Sequence, residues 1–82
     1  MSPYAHKLLQ RAEGIWYNSG LLLENKDITE DNGATKIVLS FKDISPALAE
    51  YVTSQMSKAF RRANIYWKDN CGIKIFVNIP PM

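Results

Sequence analysis

A single cysteine, Cys71, leaves this chain without a partner for an internal disulfide. A single histidine, His6, leaves little material for acid–base work or metal binding. No apolar run is long enough to cross a bilayer. No paired-carboxylate motif, phosphate-cradling glycine loop or metal-ligand cluster occurs. The N-terminal residues lack the basic-then-apolar pattern of a secretory leader. These absences argue against a disulfide scaffold, a membrane-spanning protein and an enzyme. The expectation is a cytoplasmic, non-enzymatic protein with no cofactor, no metal and no membrane partner.

Two faint chemical signals dissolve on inspection. His6 and Cys71 have the residue types of a base and a nucleophile. A histidine near a helix start and a cysteine in a turn read better as a surface residue and a small turn residue. Asp27-x-Thr29-x-Asp31-Asn32-Gly33 has the flavour of a calcium loop, but its glycine falls one place late. Val38 stands where the bidentate glutamate belongs. A solvated acidic loop explains the segment better. Glu24, Asp27, Glu30 and Asp31 are also too few to mimic a nucleic acid.

What the chain does have is moderate. Its 82 residues suit one domain, residues 1–82, with a modest core. Apolar residues at 46% and charged residues at 22% are ordinary for a globular protein. The net charge of +2 hides an asymmetry. Residues 13–31 carry a balance of −4, and residues 58–74 a balance of +4. Scattered charge on solvated faces is the plain reading. The sharper one is a basic face that meets an acidic partner.

The sequence echoes itself. Ser2-Pro3 opens one apolar-periodic segment, and Ser45-Pro46 opens another. Serine caps and proline at the first helical position fit two helix starts. Ile15-Trp16-Tyr17 follows the first segment and Ile65-Tyr66-Trp67 the second. The spacing predicts helix 1 over Pro3–Glu13, with Gly14 as its stop; the alternative continues it to Tyr17, which would spoil the echo. Strands are expected over Ile15–Asn18, Leu21–Asn25 and Thr35–Phe41, with a polar loop over residues 26–33. Helix 2 runs from Pro46 to Ala63 on a stripe of Leu48, Val52, Met56, Ala59, Phe60 and Ala63. A hairpin of Ile65–Lys68 and Ile73–Ile79 closes the chain. The fold class is α+β, in the order α-β-β-β-α-β-β, with an internal αββ repeat as an option. Its sheet is antiparallel or mixed, and two helices cover one face of it.

Strand alternation then points to a surface. With Ile15 and Ile65 facing the helices, Trp16 and Tyr66 face away, joined by Leu22, Val38 and Phe76. Lys36, Lys68 and Lys74 lie beside them. An uncovered aromatic and basic sheet face usually marks a contact surface. Lys58, Arg61 and Arg62 recur at helical spacing and suit carboxylate or phosphate contacts. Their plain reading is a favourable interaction with the helix dipole.

The expected function is a small stand-alone binding protein. It modulates or inhibits a partner protein or ribonucleoprotein by occupying its surface. Short chains without catalytic groups have, by analogy, the profile of modulators carried by phages and other mobile elements. Trp16, Tyr66 and Phe76 are the expected anchors. Lys58, Arg61, Arg62, Lys68 and Lys74 are expected to steer and make polar contacts. The alternative is a nucleic-acid-binding domain using the same residues. Burial of the face in a homodimer is a third reading.

Overall fold

Two serine hydroxyls start the two helices in the same way. In the computed structural model, which describes residues 1–81, Ser2 accepts from the amide of Ala5 at 3.2 Å. Ser45 accepts from the amide of Leu48 at the same distance. Proline follows each cap, where its missing N–H costs nothing. The helices are α1 (Pro3–Asn18) and α2 (Pro46–Ala59). Four strands complete the fold: β1 (Leu22–Asp31), β2 (Ala34–Lys42), β3 (Asn64–Asp69) and β4 (Ile73–Ile79).

The class is α+β, and the order is α-β-β-α-β-β, one strand fewer than the sequence suggests. Residues Ile15–Asn18 belong to α1 rather than to a strand. The apolar stripe Ala5, Leu8, Leu9, Ala12 continues to Trp16, which is buried. Burying an indole outweighs the roughly 1 kcal/mol that Gly14 costs inside a helix. The true stop is Gly20, whose φ of +82° suits glycine. Helix α2 ends earlier than the stripe suggests, because Phe60 leaves the helix and drops into the core. Arg61 and Arg62 therefore lie in the turn after it.

The expected loop over residues 26–33 is also mostly strand. Leu22–Asp31 pairs with Ala34–Lys42 along its length, with an irregularity between Leu23 and Asn25. Only Asn32 and Gly33 turn, both at positive φ, as a two-residue hairpin of the I′ kind demands. A side chain at Gly33 would also meet the Pro81 ring at 3.2 Å.

The sheet order is β1-β2-β4-β3, antiparallel throughout. Each αββ unit thus supplies one central and one edge strand. The repeat is real at the level of elements, but it does not pair Ile15-Trp16-Tyr17 with Ile65-Tyr66-Trp67. One triplet is helix and the other strand.

Both helices lie on one face of the sheet. Ile37, Leu39 and Phe41 of β2 and Ile75, Val77 and Ile79 of β4 point into it and are buried. Leu8, Ala12 and Trp16 of α1 and Val52 and Met56 of α2 meet them in one core. The Trp16 indole packs edge-on against the Phe41 ring at 5.4 Å. Among the described residues, no helix is long and apolar enough to cross a membrane.

Candidate binding face

The helix-free face of the sheet can be read directly from strand register. Residues opposite one another on neighbouring strands share a face. Three rows result. The middle row is Asp27, Val38, Phe76 and Tyr66, from β1 across to β3. On one side runs Asn25, Ser40, Lys74 and Lys68. On the other runs Thr29, Lys36, Asn78 and Asn64. Leu22, paired with Lys42 and 60% exposed, extends the face at one corner.

Val38, Phe76 and Tyr66 form an apolar centre with Asp27 at one end, and the flanking rows are polar, with Lys36, Lys68 and Lys74 as their charged members. Tyr66 and Phe76 stack nearly parallel, with centroids 5.2 Å apart and an interplanar angle of 10°. The Lys68 ammonium lies 5.7 Å from the Tyr66 ring centroid. Lys68 and Lys74 sit directly opposite each other, an arrangement that repels. Lys74 leans away to donate to Ser40 Oγ at 3.5 Å. Neither ammonium has a carboxylate partner among the described residues, where the ion pair found joins the Met1 amino group to Glu30.

The expected site residues separate into three groups. Tyr66, Phe76, Lys68 and Lys74 come together on the open face as expected, with Val38 and Lys36. Trp16 does not join them, because it belongs to a helix and is only 4% exposed. The register argument that placed it there assumed a strand. Lys58, Arg61 and Arg62 do not form a helical cluster either. Lys58 lies in the last turn of α2, whereas Arg61 and Arg62 follow its end.

Arg62 finds a different setting. Its guanidinium stacks on the Tyr4 ring, 4.4 Å from the centroid. Together with Lys36, Asn64, Asn78 and Pro80 it lines a groove of about 490 Å3 at one end of the open face. Sequence periodicity gave no sign of this groove, since it depends on Arg62 leaving the helix. The second unforeseen contact is on the other face. Trp67 Nε1 donates to Glu50 Oε2 at 2.7 Å, tying β3 to α2.

His6 is exposed on α1, and Cys71 is exposed in the β3–β4 turn at φ +56°. Asp27, Thr29 and Asp31 extend along β1 rather than wrapping around a common centre. No group of three or more potential metal ligands occurs among the described residues. No protein-family model matches the chain, and no curated protein is significantly similar to it in sequence.

Proposed function

We propose that this chain is a non-enzymatic binding protein that docks its open sheet face on an acidic patch of a partner protein or ribonucleoprotein. By covering that patch it modulates or inhibits the partner. The observation that carries the reading is the Tyr66–Phe76 stack beside the opposed Lys68 and Lys74. A partner with an apolar centre and carboxylates around it would relieve the lysine repulsion and cover the rings. Aromatic anchors surrounded by polar contacts are the usual anatomy of a protein interface. Lys36 and Lys42 add to the positive margin, against Asp27 and Asp31. The exposed, unpaired Cys71 suits a reducing compartment such as the cytoplasm. The small size and lack of catalytic groups match, by analogy, modulators of phages and mobile elements.

The same geometry disfavours nucleobase stacking. A base needs a free ring face. Phe76 already lies against Tyr66, and Lys68 hangs beside the same ring.

The test is quantitative capture from lysate, with and without nuclease, by the parent protein, Tyr66→Ala and Lys68→Glu/Lys74→Glu. Nuclease-resistant proteins should be lost from both variants while their circular dichroism stays unchanged. A capture profile indifferent to both variants sinks the reading. Capture of naked nucleic acid alone, weakening steeply with salt, would put the nucleic-acid alternative in its place.

A further inference from the structure

The two edges of the sheet are built differently. Edge strands expose unpaired backbone groups, and proteins blunt them with charges, bulges and irregularities. Strand β1 has these protections: Glu24, Lys26, Asp27, Glu30 and Asp31 along its length, and an irregularity after Leu23. Strand β3 has none in its middle, which reads Ile65-Tyr66-Trp67 and pairs regularly with β4.

Beside β3 runs a furrow of about 430 Å3. Its α2 wall presents Glu50, Ser54 and Ser57, spaced i, i+4 and i+7 on one flank. Thr53 lines the same furrow and carries a buried Oγ1 with no partner.

We propose that β3 pairs with β3 of a second copy of this chain, giving a two-fold dimer with one continuous eight-stranded sheet. Antiparallel pairing must keep side chains on their own faces, so only every second register is allowed. Centring the axis on Tyr66 sets Ile65 of each copy against Trp67 of the other, and Asn64 against Lys68. Apolar meets apolar on the helix side, and no like charges oppose. Centring it on Trp67 instead sets Ile65 against Asp69, an apolar side chain against a carboxylate. The first register is therefore the favoured one.

The helices fit the same junction. Helix α2 packs across β3 and β4. With its axis placed over the seam between those strands, it lies about half a strand spacing inside the edge. Adding a strand at about 4.8 Å brings the two α2 axes to about 10 Å, an ordinary helix-packing distance. The facing flanks carry serines small enough for that approach. Because the helices run antiparallel, the Glu50 end of one meets the Ser57 end of the other. The assembly also closes: its outer edges are the two charged β1 strands, which resist further growth. An isologous interface of this kind makes a dimer and stops.

The experiment is sedimentation velocity over a dilution series, with hydrogen exchange of β3 and β1 amides. The parent protein should dimerise as concentration rises, with β3 gaining protection and β1 none. Asn64→Lys places a lysine opposite Lys68 twice and should weaken the dimer about tenfold. Asn64 is exposed, and unchanged circular dichroism would show the fold intact. Adding Lys68→Glu in the same chain should restore the dimer through Lys–Glu pairs. A protein that stays monomeric at every concentration overturns the proposal. So does a dimer that survives Asn64→Lys and is lost in Phe76→Lys, since that dimer uses the open face.

Discussion

The two αββ units begin identically and end differently. Each opens on a serine cap and a proline, and each contributes a central and an edge strand. In the first unit, β1 extends for ten residues and is exposed almost throughout. In the second, β3 is six residues long, and α2 lies across it with Ile65 buried and Trp67 held by Glu50. One architecture therefore carries two kinds of edge. The first is held by backbone pairing and solvated side chains. The second is held by the core.

The sharpest way to break this comparison is to truncate the same residue type in both edges. Ile65 is 8% exposed, so Ile65→Ala should cost about 2–4 kcal/mol by urea unfolding, through lost burial and the cavity left behind. Ile28 is 39% exposed in β1, and Ile28→Ala should cost less than about 1 kcal/mol. Equal costs would mean that β1 packs against something in solution, and the contrast between the edges would fail.

The same contrast explains what could be read in the sequence. The clean alternation of Ile73, Ile75, Val77 and Ile79 gave β4 because one face of that strand is buried and the other open. Tyr66, Phe76, Lys68 and Lys74 followed from it as a face. Leu21–Asn25 read as a strand, but the Lys26–Asp31 part of β1 escaped because a strand solvated on both sides has no alternation to read. Asn32-Gly33 still announced its turn, and counting back from that turn along β2 recovers the whole strand. Trp16 was misplaced because Gly14 looked like a helix stop, although the stripe from Ala5 to Ala12 already pointed one turn further. Here tertiary burial overrode local propensity. Arg62 and its groove were not legible at all. They depend on Phe60 abandoning the helix for the core, which no local pattern encodes.

A second pair of changes tests where the two units agree. Ser2→Ala and Ser45→Ala should each cost about 1 kcal/mol, because each removes an acceptor from an otherwise unpaired helix amide. The effects should add in the double variant, since the two caps share no partner. Near-equal values from thermal unfolding would confirm that both helices depend on their caps alike. A much smaller effect at Ser2 would make the difference between the units extend to their helices.

The smallest effect concerns an ion pair by which β1 reaches beyond its own hairpin. The Met1 amino group lies 2.9 Å from Glu30 Oε1, with the two side chains 22% and 48% exposed. Solvent screens such a pair, so Glu30→Gln should cost no more than about 0.5 kcal/mol. That cost should vanish in 1 M salt, where the screening length falls to about 3 Å. A larger or salt-resistant loss would mean that the amino end of α1 fastens β1 in place. The first edge strand would then be anchored from outside the sheet, much as Glu50 anchors Trp67 in the second. Salt dependence, rather than size alone, decides between a loosely tethered edge and an anchored one.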